Sequence, residues 1–226
     1  VVGLVFYFFF GQNLSKQRII SRRMRKRITL QLEEAEHAAG PGIPKAYRPL
    51  ARLLRTTSHA VPLYGSRITP YTDGSSKMEA LLGEIARARH HIHLQYYIFC
   101  DDETGRRLRD ALVEKARQGV HVRILYDDVG CSGVRKSFFE GMRREGIEVH
   151  AFLHVKFPRF TSKVNYRNHR KIVVIDGRVG FIGGMNIADR YVRGTEWGSW
   201  RDTHFRIEGS GVAGLQIAFL SDWSAT

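Results

Sequence analysis

Apolar and polar positions change period along this chain, and the changes mark its elements. Asp73-Gly74-Ser75-Ser76 sets a helix start, after which Met78, Leu81, Leu82 and Ile85 recur on one helical face. Residues 92–99, rich in aromatic and β-branched side chains, predict a strand. Leu108, Leu112 and Ala116 define a second helix ended by Gly119, and residues 120–126 a second strand. Phe138, Phe139 and Met142 share a third helix, which Gly146 ends before a strand over 147–152. Ile172-Val173-Val174-Ile175, closed by Asp176-Gly177, predicts a buried strand entering a tight hairpin. Residues 201–207 add a strand and 212–223 a closing helix. Strand and helix alternating at this spacing imply right-handed crossovers and an α/β fold, a mixed, mostly parallel sheet flanked by helices.

The first 61 residues follow other rules. Residues 1–10 are apolar but for one glycine, and Lys16, Arg18, Arg22, Arg23, Arg25, Lys26 and Arg27 follow with no acid among them. Ten residues make a helix of about 15 Å, half of a ~30 Å hydrocarbon core. A signal peptide carries its cations before the apolar run, not after it. Residues 1–14 are therefore expected to be the end of a transmembrane helix, its basic flank on the cytoplasmic side. Residues 15–61 form a basic juxtamembrane segment and a neck, with helical pieces over 28–39 and 48–56 around Gly40-Pro41-Gly42-Ile43-Pro44. Residues 62–226 are expected to form the main body.

At 226 residues and 43% hydrophobic, the chain can bury a core, and its net charge of +14 calls for an anionic partner. The apolar start followed by cations points to an anionic membrane rather than to nucleic acid. Cys100 and Cys131 have no metal-ligand or C-x-x-C spacing and are expected as free thiols.

The chemistry gathers at Asn168-His169-Arg170-Lys171 and at Gly183-Gly184-Met185-Asn186. His169 and Lys171 share one strand face, with Arg170 on the other. A two-residue turn at Asp176-Gly177 would pair Ile175 with Arg178 and set Gly184 opposite His169, leaving open space for a phosphate. A neutral imidazole can attack phosphorus and split one hard displacement into two easier ones. Lys171 would supply fixed charge for the phosphate oxygens and Asn186 hydrogen bonds. Asp176 lies seven residues from His169, roughly 23 Å along an extended strand, so it should shape the turn and not touch substrate. The attacking ring needs an acceptor for its other nitrogen, for which Asp202 is the candidate and Glu196 the alternative. Asp127-Asp128 reads as a turn cap rather than a metal pair, and Tyr96-Tyr97 as core or cleft lining. His154-Val155-Lys156 repeats H-x-K without the acid that should follow.

The string H-x-K-x4-D-G-x5-G-G-x-N from His169 to Asn186 resembles the HKD signature of the phospholipase D superfamily. With Asn165-Tyr166-Arg167-Asn168 before it, Gly183-Gly184-Met185-Asn186-Ile187-Ala188-Asp189 after it and Trp200-Arg201-Asp202-Thr203-His204 beyond, the chain is similar to bacterial cardiolipin synthases from about residue 63 onward. The resemblance implies a phospholipase D-like fold and His169, Lys171 and Asp176 as the motif's catalytic set. It implies no metal and no organic cofactor. It further implies a membrane-bound phosphatidyltransferase that makes cardiolipin from two phosphatidylglycerols through a phosphatidyl-histidine. Such proteins carry two HKD motifs, so this chain would be an N-terminal half. The second histidine would come from a C-terminal half or from a second copy of the chain. A hydrolase of the same superfamily, and a non-catalytic binding fragment for anionic lipid or nucleic acid, are the alternatives.

Overall fold

The computed structural model describes residues 42–58, 62–152 and 167–226. The expected membrane-helix end, the helix over 28–39 and the stretch 153–166 with its second H-x-K lie outside the described residues. Among the described residues no helix is long and apolar enough to cross a membrane.

A single 3-10 turn, Lys45–Tyr47, leads into α1, Arg48–Ser58. The body then runs β1 (Arg67–Asp73), α2 (Gly74–Arg87), β2 (His91–Tyr96), α3 (Glu103–Arg117), β3 (His121–Asp127), α4 (Lys136–Arg144) and β4 (Glu148–Phe152). It continues with β5 (Ile172–Ile175), β6 (Val179–Gly183), α5 (Asp189–Arg193), β7 (Arg201–Glu208) and α6 (Val212–Trp223). Helices α1, α2, α3, α4 and α6 form where the sequence reading places them, whereas the short α5 was not expected. Asp73 caps α2 through a 2.8 Å bond from the Ser76 amide, and Met78, Leu81 and Ile85 are buried.

The seven strands form one sheet in the order β1-β7-β6-β5-β2-β3-β4. Among the described strands β2–β3 and β3–β4 pair in parallel, and β1–β7, β7–β6, β6–β5 and β5–β2 are antiparallel. The expectation of a mostly parallel sheet is thus corrected. A parallel neighbour needs a long crossover, usually a helix. Such crossovers exist at α3 and α4, whereas β5 returns through a hairpin and β7 follows the short α5. Strand β1 escapes the periodicity. Its sequence Arg-Ile-Thr-Pro-Tyr-Thr-Asp is exposed along nearly its whole length and holds Pro70, as a sheet edge allows.

Side chains of β5 divide between two layers. Val173 and Ile175 join Leu94, Ile124 and Phe181 under α2, α3 and α4, while Ile172 and Val174 pack on Val212 and Leu215 of α6. Burial on both faces explains why four β-branched residues run without alternation. Since β5 runs against β2, with Gln95 beside Ile172, the residues just before β5 come out beyond the carboxyl ends of β2 and β3.

Candidate active site

Beyond those strand ends, His169 is exposed and Lys171 buried. The Lys171 ammonium lies 2.9 Å from His169 Nδ1 and donates to the His169 carbonyl at 2.7 Å. The Tyr97 ring covers both: its centroid is 4.5 Å from the imidazole and 5.3 Å from Lys171 Nζ. Of the tyrosine pair, Tyr97 thus faces the site while Tyr96 belongs to the core. Burial and the Lys171 charge hold the His169 pKa below its ordinary value, with Asp127 opposing, so the ring is neutral near pH 7. Burial lowers Lys171 to about 8, with Asp202 opposing.

Two buried carboxylates hold the segment ahead of β5. Asp127 ends β3 and accepts from the amides of Val129, Gly130 and Asn168, capping the turn as expected. Asp222 of α6 accepts from Gln95 Nε2 and Asn168 Nδ2, each at 2.7 Å, and from Arg170. Arg170 therefore points away from His169 and Lys171, as strand alternation requires. The anchoring roles of Asn168 and Asp222 escaped the sequence reading. Asn168 stands next to the motif, but nothing local marks its partner fifty-four positions away.

The hairpin register differs from the expected one. Asp176 and Gly177 both take positive φ, 53° and 65°, and the ladder pairs Ile175 with Val179 instead of Arg178. The strands are offset by one residue, so Gly184 does not leave open space opposite His169. A Cβ on Gly184 would fall 2.1–2.5 Å from the Asp202 carboxylate atoms, and its amide donates to Thr203 O. Gly184 makes room for Asp202.

Asp202 accepts from the Thr203 amide, and its charge acts on Lys171. No carboxylate hydrogen-bonds the imidazole among the described residues, because Lys171 occupies Nδ1. Glu196 is exposed, next to Trp197 in the turn between α5 and β7. Asn186 is buried: its Oδ1 accepts from the Ile98 amide at 3.0 Å and its Nδ2 donates to Tyr191 Oη at 2.7 Å. The other hydrogen of that amide makes no hydrogen bond among the described residues. Asp176 accepts from the amides of Arg89, His90 and His91 at 2.8–2.9 Å, at the far end of β5. Burial pushes its carboxyl up, and those three amides outweigh this and hold it below the usual carboxylate value.

A buried polar group that feels the charge of Lys171 was not announced by the sequence. Lys77 of α2 is buried and donates to Tyr96 Oη at 3.0 Å. His204 is fully buried, and neither ring nitrogen is hydrogen-bonded. Burial, with the charges of Lys77 and Lys171, pushes His204 down to about 2, so it stays neutral. Gly183 accommodates its ring, since a Cβ there would lie 2.7 Å from the imidazole Cγ. Among the described residues no group of three His, Cys, Asp or Glu is placed to hold a metal ion.

A histidine and a lysine two residues apart, set beyond parallel strand ends and followed by a hairpin with paired glycines, define a phospholipase D-like domain. The fold agrees: a phospholipase D family member, Nuc from Salmonella typhimurium, superposes with a TM-score of 0.51 at 17% identity, over 71% of this chain and 95% of that one. The chain belongs to the family described as cardiolipin synthase, PLD-like domain, whose model matches residues 81–198. It is 40% identical to the major cardiolipin synthase ClsA of Bacillus subtilis, over 99% of this chain and 48% of that protein. It is 42% identical to a cardiolipin synthase of Geobacillus kaustophilus, over 99% of this chain and 45% of that protein. The chain thus spans about half the length of these relatives.

Proposed function

We propose that this chain is the first half of a membrane-bound bacterial phosphatidyltransferase that makes cardiolipin from two phosphatidylglycerols. The observation that carries the proposal is an exposed, neutral imidazole with an ammonium 2.9 Å away. Bacterial cardiolipin synthases at about 40% identity support the substrate.

In the proposed reaction an imidazole nitrogen of His169 forms a bond to phosphorus as the bond from phosphorus to the glycerol oxygen breaks. Lys171, with the free amide hydrogen of Asn186, stabilises charge gathering on the phosphoryl oxygens. A second histidine, from the other half of the protein or a second copy of this chain, protonates the glycerol alkoxide. It then takes the proton from the hydroxyl of the second phosphatidylglycerol, whose oxygen displaces His169. The Lys171 ammonium donates to Nδ1 in the arrangement described, which leaves the ring proton on Nε2. Movement of that ammonium onto phosphate frees Nδ1; the ring proton then shifts from Nε2 to Nδ1, which donates it to an acceptor, Asp202 being the candidate, and leaves the Nε2 lone pair to attack. Asp176 supports this arrangement from the far end of β5 by ordering the backbone at 89–91. Neither a metal nor an organic cofactor takes part. The apolar, then basic start of the chain supports placement at the inner membrane with the catalytic part on the cytoplasmic side.

The test is mass spectrometry of lipids from cells lacking cardiolipin that express the full-length protein or its His169→Ala variant. Cardiolipin restored by the parent alone is the expected result. Phosphatidic acid as the only new lipid would replace the transferase with a hydrolase.

A further inference from the structure

The proposed reaction leaves His204 without a task. Its ring is fully buried, and both nitrogens lack a hydrogen-bond partner among the described residues. A buried polar group left unpaired costs stability, and a phenyl ring would fill the same space without that cost. The place of the ring in the sheet is informative. Tyr71, His204 and Gly183 are cross-strand partners on β1, β7 and β6. One position beyond the pairs Gln95–Ile172 and Ile172–Ile182 stand Tyr96–Lys171 and Lys171–Gly183. Cross-strand partners share a face, so Tyr96, Lys171, Gly183 and His204 form one row under α2. In that row only Gly183 separates the imidazole from Lys171. It has no side chain to keep them apart, and a Cβ there would stand 2.7 Å from the imidazole Cγ. The Lys171 ammonium carries three hydrogens, and His169 engages two of them, through Nδ1 and the carbonyl oxygen. Lys77, the other buried amine, donates to Tyr96 Oη.

We propose that His204 is a positioning residue for Lys171: when the ammonium leaves Nδ1 of His169 for the phosphate, a ring nitrogen of His204 accepts another of its hydrogens and fixes its direction. This rests on the role given to Lys171 in the proposed reaction. An imidazole suits the task because its neutral form offers one nitrogen lone pair. A carboxylate in the same place would cancel the charge that the phosphoryl oxygens need, whereas a neutral acceptor orients the ammonium and leaves its charge available. Burial and the charges of Lys77 and Lys171 keep the ring unprotonated. The other ionisable groups around the row are His169, Tyr97, Asp202, Tyr96 and Lys77.

The test is the pH dependence of turnover by the full-length protein and its His204→Phe, His204→Leu, His204→Gln and Lys171→Arg variants. The kcat profile reports groups of the substrate complex and the kcat/KM profile those of the free enzyme. In His204→Phe and His204→Leu, which have no acceptor, the alkaline limb of kcat should move about one pH unit lower, an about tenfold weaker hold on the charged amine. The limb of kcat/KM should stay, because His204 meets the ammonium only with phosphate in place. His204→Gln keeps an acceptor and should restore most of the kcat limb. An unmoved kcat limb in His204→Phe and His204→Leu, with the limb absent from Lys171→Arg, would overturn the inference and leave the role of Lys171 standing. Equal shifts in all three His204 variants would assign the effect to the shape of the ring and overturn it too. A limb that persists in Lys171→Arg would overturn both the inference and the role of Lys171.

Discussion

At the scale of single residues, the proposed reaction asks two neighbouring bases to be in opposite states. In it His169 must be neutral to attack and Lys171 charged to receive a phosphoryl group. Burial depresses both pKa values, which favours the first requirement and works against the second. Lys171 therefore loses its proton as pH rises through about 8. The kcat/KM of the full-length protein, which reports groups of the free enzyme, should fall above that pH by about tenfold per unit. Lys171→Arg keeps its charge throughout and should abolish this alkaline limb, at a lower plateau because a guanidinium does not fit an ammonium site. An identical limb in Lys171→Arg would assign it to another group. A pH–rate profile on both proteins decides, taken over a window from about 6 to about 10 that brackets the Lys171 value of about 8.

At the scale of elements, the β5–β6 hairpin places the chemistry. The four-residue apolar run was readable as a buried strand, and Asp-Gly as its turn. The register was not, because it depends on the two αL residues and on where the ladder begins after them, and a one-residue offset exchanges the two faces. The adjacent glycines consequently serve different neighbours: Gly183 admits His204 and Gly184 admits Asp202. Gly184→Ala should displace the Asp202 carboxylate, whose charge acts on Lys171, and slow formation of the proposed phosphatidyl-histidine by about tenfold to a hundredfold. Rapid-quench trapping of the labelled intermediate measures that rate. A rate within about twofold of the parent would show that Asp202 has no part in orienting the site.

At the scale of the whole molecule, the first motif is held by the last helix. Asp222 on α6 gathers Gln95 from β2 with Asn168 and Arg170 from the motif segment. Asp222→Ala would leave buried donors unpaired and should destabilise the fold by about 2–4 kcal/mol. His169→Ala, at an exposed position, should leave stability within about 0.5 kcal/mol of the parent. Denaturant unfolding of the two variants separates anchoring from chemistry. Equal stability would mean that the Asp222 contacts contribute nothing net.

The sequence by itself determined most of the segments that become helix or strand and where those helices stop, though not the short α5, along with the histidine–lysine pair and the shared side on which its two members project. These are local properties, set by side-chain periods of 3.6 and 2 and by the steric freedom of glycine. It left β1 unmarked, since an exposed edge strand containing proline has no hydrophobic alternation to display. Only the tertiary structure decided the neighbours. Four of the six pairs between the described strands came out antiparallel, only β5–β6 of them by a hairpin, Asp127 and Asp222 became anchors of the motif segment, and the charges of Lys77 and Lys171 came to act on the buried His204. Each of these contacts joins residues far apart in sequence, and its geometry exists only after the sheet has formed.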